Sequence, residues 1–291
     1  MFVVRKRATD SMDFWIWLLS VLETEVEVPR AYGWFHILCI ILVGAFTAFL
    51  CIKMRNCSDK AFRRFCLVIF IVLIVADLYR QIVFDLVGYD EEAGKFIFSY
   101  GWYAFPFQLC SSPHYILPFI IWMKDGKVRD ACISFMCFFS VLGGLTVFLY
   151  PGTCFTYCLG VNIQTMLHHG MQIALGVFFA VRESKRLNIK YFALGIPVFL
   201  SLAAVAILLN YVVHHAVLMC GVDGVFDMFY ISPYYDSGLP VISTLKATLP
   251  YPIFLLVYLI GITVGAFLIY LILKYSIKGA KRVRNKTVKC N

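Results

Sequence analysis

Residues Tyr251–Leu273 read YPIFLLVYLIGITVGAFLIYLIL, a stretch of 23 residues without one charged side chain. At the rise of about 1.5 Å per residue of an α-helix, such a stretch crosses the roughly 30 Å hydrocarbon core of a bilayer. Backbone N–H and C=O groups in lipid must be satisfied within their own segment, so the stretch predicts a transmembrane helix.

Six further apolar segments of similar length precede it along the chain. Hydrophobic residues make up 61% of the 291 residues and charged residues 15%. A soluble domain has about 45–50% apolar residues and about 25% charged residues. The sequence therefore predicts an all-α polytopic membrane bundle of seven transmembrane helices and excludes a separate soluble domain. The predicted spans are Tyr32–Ile52, Phe62–Val87, Ala104–Met123, Ala131–Tyr150, Val161–Val181, Tyr191–Leu218 and Tyr251–Leu273.

Three regions follow from this division. Residues 1–30 form an N-terminal tail, residues 31–275 the seven-helix transmembrane domain, and residues 276–291 a basic cytoplasmic tail. Within the N-terminal tail, Asp13–Leu22 (DFWIWLLSVL) is apolar and carries two tryptophans but is too short to span a bilayer. We expect it to form a helix that lies in the membrane interface. The tail lacks the small-residue cleavage site of a secretory signal peptide.

Orientation follows from the lysine and arginine residues outside the spans. The loops after the first, third and fifth spans carry five, three and four of them, and the segment after the seventh span carries seven. The other loops carry only Lys95 and Lys246. Because basic residues favour the cytoplasmic side, the C-terminus is predicted in the cytoplasm and the N-terminus outside. Arg5–Arg7 disagree with this locally. The net charge of +9 therefore belongs to loops and a tail, so no nucleic-acid partner is expected.

Polar residues within the spans gather at one depth, in the outer half of the bundle. Such residues are costly in lipid and mark functional sites by default. We therefore predict a functional cavity, against the alternative that each residue makes an ordinary interhelical hydrogen bond worth about 1 kcal/mol. Asp77 and Arg80 are expected to form a structural ion pair, with Asp85 at the water interface. The residues are Asp77, Arg80, Gln81 and Asp85 in the second span, Gln108, Cys110 and His114 in the third, Gln164, His168 and His169 in the fifth, and Asn210, His214 and His215 in the sixth.

A cysteine and histidines at matching depth indicate nucleophilic catalysis, in which a thiolate attacks an acyl carbonyl and an imidazole moves the proton. Cys110 is the candidate because it lies in a polar stretch of a span, QLCSSPH. His114, four residues later, is an alternative local partner. Prolines at 106, 113 and 118 predict a kinked or partly unwound third span, which can expose N–H groups to an oxyanion.

Two other chemistries compete for these histidines. The pairs His168-His169 and His214-His215, with Asp85, are ligand types that suit zinc. Adjacent side chains on a helix point about 100° apart, which disfavours a compact site, so neither a metal nor another cofactor is expected. A retinal protein would need a lysine within the seventh span, and Tyr251–Leu273 contains none.

Short motifs in a fixed order resemble a known family. They are Phe105-Pro106-Phe107-Gln108-Leu109-Cys110, Gly143-Gly144 followed by Pro151, His168-His169-Gly170, Asn210-Tyr211 and Leu249-Pro250-Tyr251-Pro252. Over roughly residues 60–275 the chain resembles the YwaF-like integral membrane proteins, which are related to the human transmembrane acyltransferase that remodels ether phospholipids. The resemblance implies a Cys/His acyltransferase in which Cys110 is the nucleophile and His168 or His169 the base, with His168 ranked first.

The expected function is a transacylase that moves a fatty acyl chain between phospholipids through a cysteine thioester. Its partners would be a membrane phospholipid and a lysophospholipid, and water as acceptor would give a phospholipase instead. The alternative is a transporter or receptor without enzymatic activity that uses the polar residues as a ligand or proton site. We expect a multi-pass protein of the bacterial plasma membrane or the endoplasmic reticulum, depending on source.

Overall fold

A computed structural model describes the backbone of residues 10–290 and, apart from Thr153, the side chains of residues 14–282. Arg5–Arg7 and the side chains of Arg284, Lys286 and Lys289 lie outside this described part. The architecture is almost entirely helical, with one short β-hairpin. The helices are α1 Asp10–Leu22, α2 Trp34–Phe49, α3 Asp59–Tyr79, α4 Ser112–Trp122, α5 Lys127–Phe135, α6 Val141–Leu149, α7 Leu159–Arg182, α8 Ile189–Ala216, α9 Pro240–Thr248 and α10 Tyr251–Cys290.

Within the described residues, five helical stretches are long and apolar enough to cross a membrane: Trp34–Met54, Asp59–Phe84, Lys127–Leu149, Ile189–Cys220 and Tyr251–Arg282. Each coincides with a predicted span, so the chain is an integral multi-pass membrane protein. The other two predicted spans correspond to α4, which has only 11 residues, and α7, which has 24. Helix α7 is long enough, but its glutamine and histidine side chains lower its mean hydropathy.

The third predicted span is wrong in its first half, because the α-helix begins at Ser112 rather than Ala104. Residues 102–111 form two short 3₁₀ turns, Trp102–Ala104 and Leu109–Ser111, with extended backbone between them. Pro106 has no N–H to donate and disfavours the α conformation at Phe105. The freed Pro106 carbonyl accepts a hydrogen bond from the Tyr115 hydroxyl at 2.6 Å.

The fourth predicted span is one long helix interrupted at its centre. A π-turn, Met136–Ser140, joins α5 to α6. A π-turn inserts an extra residue and rotates the helix face that follows it. Consequently α5 packs against α8 while α6 packs against α7. Other π-turns, Leu50–Met54 and Arg80–Phe84, extend α2 and α3.

The segments outside the spans are tied to the bundle by backbone contacts. Helix α1 confirms the predicted N-terminal helix and leaves Trp15 and Trp17 exposed. After α1, Glu25 forms an antiparallel bridge with Cys158, just before α7. A hairpin of β1 (Val87–Asp90) and β2 (Lys95–Phe98) follows α3. The sequence did not predict it.

At the predicted cytoplasmic end, a set of charged residues joins α3, α4, α5 and α7. We call Asp59, Arg63, Asp125, Arg129 and Arg182 the Asp59 network. Asp59 accepts hydrogen bonds from Arg63 and Arg129 and lies 3.9 Å from Arg182. Arg63 and Arg129 also donate to Asp125 and to backbone carbonyls at the C-terminal end of α4. Because these carbonyls have no partner within the helix, the arginines stabilise its end.

Candidate functional site

Cys110 lies in the 3₁₀ turn immediately before α4, where the residue is half-buried. The turn approaches α6 at Gly143 and α7 at Gln172. A Cβ atom at Gly143 would lie 4.0 Å from the Cys110 Cα, and one at Gly144 would lie only 2.6 Å from the His169 carbonyl oxygen. The adjacent glycines therefore allow α6, α7 and the Cys110 turn to meet closely.

Two side chains of α7 hold the backbone of Cys110. The Nε2 atom of His168 lies 2.8 Å from the Cys110 carbonyl oxygen, and Nε2 of Gln172 donates to the same oxygen. A carbonyl oxygen only accepts, so His168 Nε2 carries the hydrogen and, in the neutral ring, Nδ1 carries the lone pair. His168 Nδ1 is buried and has no hydrogen-bond partner among the described residues. The ring is therefore fixed and still has a basic nitrogen available.

Two further histidines flank this contact. The rings of His114 and His168 meet edge to face with centroids 5.0 Å apart, and His114 Nε2 is buried without a partner within the described chain. His169 turns away from Cys110, because its Nδ1 donates to the Thr165 carbonyl one turn earlier at 2.7 Å. We call Cys110, His114, His168, His169 and Gln172 the Cys110 site.

Gln108 and Asn210 face a loop rather than an open cavity. Gln108 donates to the Asp227 carbonyl at 2.8 Å and accepts from the Phe229 N–H at 2.7 Å. Asn210 donates to the Met228 carbonyl at 3.0 Å and accepts from the Met228 N–H at 2.8 Å. Each amide thus uses one donor and one acceptor to fix residues 226–231, which we call the buried loop because most of its side chains are almost inaccessible.

The buried loop carries backbone strain beside the Cys110 turn. Phe229 and Tyr230 have φ values of 59° and 58°, in the left-handed region that costs energy for residues other than glycine. Burial, followed by the nearby Cys110, raises the pKa of Tyr230. The strained pair is tied to the chain just before Cys110, because the Phe229 N–H donates to Gln108.

The charged residues of the second predicted span pair differently from the expectation. Arg80 Nε lies 3.4 Å from the Asp85 carboxylate, without hydrogen-bond geometry, and no ion pair between Arg80 and Asp77 is present in the described part. Asp85 is 4% exposed and accepts from Tyr103 at 3.1 Å, so its expected place at the water interface is wrong. Asp77 lies in electrostatic range of His114.

Three predicted residues lie outside the Cys110 contacts. Gln81 binds the Ala104 carbonyl and the Tyr100 hydroxyl. Gln164 is buried, and its Oε1 has no partner among the described atoms. His214 stacks on Tyr234, with ring centroids 3.7 Å apart. Among the residues that the structure describes, no three His, Cys, Asp or Glu side chains form a group able to hold a metal.

Two functional features were missed from the sequence. Gln172 follows His168 by four residues, the spacing that places both on one helix face, and this signal was available. The buried ion pair between Asp227 and Lys246, 2.9 Å apart, gave no local signal because its members lie on opposite sides of a loop. Burial raises the pKa of Asp227 despite this lysine and the Ser232 N–H.

Comparison with known protein families identifies the family of the chain. A family model described as the TMEM164 family matches residues 31–273. No curated protein and no solved structure matches the chain.

Proposed function

The chain belongs to the TMEM164 family of transmembrane proteins, and from that premise we propose that it is a membrane-embedded Cys/His acyltransferase. It has seven spans, with α4 and α7 completing the five apolar ones, an outside N-terminus and a cytoplasmic C-terminus. The YwaF-like membrane proteins are its relatives. The substrates are a donor phospholipid and a lysophospholipid acceptor, and no cofactor takes part.

One observation carries the proposal. Cys110 is half-buried, its backbone carbonyl is held by His168 and Gln172, and His168 and the neighbouring His114 each keep an unpartnered ring nitrogen among the described atoms. Buried polar atoms are almost always paired in folded proteins. Unpaired atoms on the two side chains that hold Cys110, and on the adjacent His114, support a site that completes its hydrogen bonds with a substrate.

The chemistry follows from the groups present. A histidine takes the thiol proton, and the sulfur attacks the ester carbonyl carbon of the donor. The tetrahedral intermediate collapses by breaking the carbon–oxygen bond to the glycerol backbone, and the departing lysophospholipid oxygen takes the proton from the imidazolium. The Cys110 thioester then transfers its acyl chain to the hydroxyl of a lysophospholipid by the reverse steps. Bonds and protons balance without an oxidant, reductant or metal.

His168 is the leading base because its Nε2 hydrogen bond leaves Nδ1 with the lone pair. His169 has Nε2 in that role, since its Nδ1 donates to Thr165. His114 also has an unpartnered Nε2 and lies one helical turn after Cys110. Gln108 and Asn210 act indirectly, by holding the buried loop against the chain that leads to Cys110.

The test uses purified full-length protein and a phospholipid with a labelled acyl chain. We expect a hydroxylamine-sensitive thioester on Cys110, located by mass spectrometry, and transfer of label to added lysophospholipid. Cys110→Ala should abolish both, whereas Cys39→Ala, a half-buried cysteine of α2, should retain both. Full transfer by Cys110→Ala would show that the nucleophile is wrong.

The same assay addresses the second candidate, a transporter or receptor. A pocket of about 220 Å³ lined by residues including Tyr234, Tyr235 and Lys246 lies near the outer end of α8, and its aromatic and charged lining favours ligand binding. If no phospholipid gives an adduct or a product, the binding function replaces the enzymatic one.

A further inference from the structure

A second site lies at the far end of α4 from Cys110. It is a pocket of about 370 Å³ between the first turns of α3 and the last turn of α4, lined by Asp59, Lys60, Arg63, Arg64, Leu67 and Ile121. Pockets that hold small ligands measure about 300–1,000 Å³. The space is therefore sufficient for a lipid headgroup.

The charges around the pocket favour an anion. The carboxylate of Asp59 is already occupied by Arg63 and Arg129, with Arg182 nearby. Lys60 and Arg64 are exposed and form no salt bridge within the described part of the chain. They stand one helical turn apart on α3, so their positive charges face the same space without a protein counter-ion.

Arg63 fixes the wall of the pocket. It donates to the Ile121 carbonyl at 2.8 Å, to the Met123 carbonyl at 2.5 Å and to Asp125 at 3.1 Å. Because these bonds span from α3 to the end of α4, the distance between the two helices is set by Arg63. Lys60 and Arg64 are left available for a ligand.

The apolar side of the pocket indicates what carries the anion. Leu67 and Ile121 form its inner wall. Beyond them, Val68, Ile71 and Trp122 expose 58%, 51% and 63% of their surfaces on the two helices. Val68 and Ile71 belong to Asp59–Phe84, which is long and apolar enough to cross a membrane, and Trp122 ends α4, the helix of the third predicted span. An anion bound here is thus next to lipid-facing surface, where a ligand with a hydrocarbon chain fits better than free phosphate.

We propose that this pocket binds the headgroup of an anionic phospholipid. Its phosphate lies between Lys60 and Arg64, whose ammonium and guanidinium groups are the usual phosphate partners, and an acyl chain runs along Leu67 and Ile121. Basic pockets between transmembrane helices on the cytoplasmic side bind anionic headgroups in this way. The site is separate from Cys110 and does not depend on acyl transfer.

The experiment titrates short-chain phosphatidylglycerol into purified full-length protein in a neutral detergent and follows the melting temperature. The unmodified protein should melt at higher temperature as this lipid is added, and phosphatidylcholine should have little effect. The double variant Lys60→Gln/Arg64→Gln should bind about 30-fold more weakly. The matched control Lys53→Gln/Arg55→Gln removes the same charge from the turn after α2 and should bind normally.

Three results would overturn the proposal. Equal weakening in both double variants would show attraction by general charge rather than by the pocket. An unchanged melting temperature in the unmodified protein would show that no such lipid is bound. An equal shift with inorganic phosphate would show an anion site that does not select lipid.

Discussion

The Asp59 network and the Cys110 site, at opposite ends of α4, differ in how completely their polar atoms are paired. In the Asp59 network, Arg63 and Arg129 divide their donors between two carboxylates and the carbonyls at the end of α4. In the Cys110 site, His114 Nε2, His168 Nδ1 and Gln172 Oε1 have no partner among the described atoms. Buried polar groups without partners are costly to a fold. The difference indicates that one end serves stability and the other retains hydrogen-bonding capacity for a ligand.

The largest expected effect would break this comparison at the Cys110 site. His168→Gln keeps a donor for the Cys110 carbonyl but removes the base, so acyl transfer should fall about 10²–10⁴-fold with little change in melting temperature. The measurement is the rate of labelled acyl transfer. His215→Gln, an exposed residue bound to Tyr234, is the control and should retain activity. If His168→Gln is fully active and His114→Gln is not, the base is His114.

The second effect tests the opposite end. Arg129→Gln removes a buried guanidinium that binds Asp59, Asp125 and the Ile120 carbonyl. Both aspartates are partly exposed and keep Arg63, so we expect a loss of about 2–3 kcal/mol of stability rather than more. Melting in detergent measures it, with the exposed Lys127→Gln on the same helix as control. Unchanged melting in Arg129→Gln would mean that the network contributes no stability.

The third prediction concerns the close packing of α6 against α7 beside the Cys110 site. It uses two neighbouring glycines of α6, Gly143 and Gly144. Gly144→Ala would place a methyl group 2.6 Å from a backbone oxygen of α7, which cannot move away alone. We expect a loss of about 1–3 kcal/mol and lower activity. Gly143→Ala meets its nearest atom at 3.4 Å, an ordinary contact, and should melt at or above the unmodified protein. Equal destabilisation by both variants would contradict the close approach of α6 and α7.

The smallest effect concerns the buried pair of the loop. Burial raises the pKa of Asp227 in the folded state above its ordinary value of 3.8. At a pH between the ordinary pKa of the unfolded state and the raised pKa of the folded state, the folded state therefore binds more protons. Stability from this group is therefore highest at low pH and falls as the pH rises through the raised pKa. The melting temperature, measured as a function of pH, should fall as the pH rises through the raised pKa. The Asp227→Asn variant should lose this slope of melting temperature against pH. Asp223→Asn, an exposed neighbour, should leave the slope unchanged; a slope that persists in Asp227→Asn would assign it to another group.

The apolar segments were predictable because their length and hydrophobicity are local properties. The juxtaposition of Cys110 with His168 was also accessible, since helix direction placed both at one depth. The irregular chain before α4 was only partly accessible, through its prolines. The roles of Gln108 and Asn210 could not be predicted, because their partners lie in a loop whose path depends on tertiary packing. Arg80 likewise lies beside Asp85 rather than Asp77. Arg80 begins a π-turn and Asp85 caps it, and the sequence pattern did not predict this turn.

Gln108 pairs with Asp227 and Phe229, 119 and 121 residues later in the chain. During synthesis, the helix bearing His168, which ends at Arg182, is translated before these residues exist. Gln108 consequently receives these hydrogen bonds only when more than three quarters of the polypeptide has been made. A nascent chain that ends before residue 227 would contain Cys110 and His168 without the loop that holds Gln108, so the proposed activity would require translation to pass this loop.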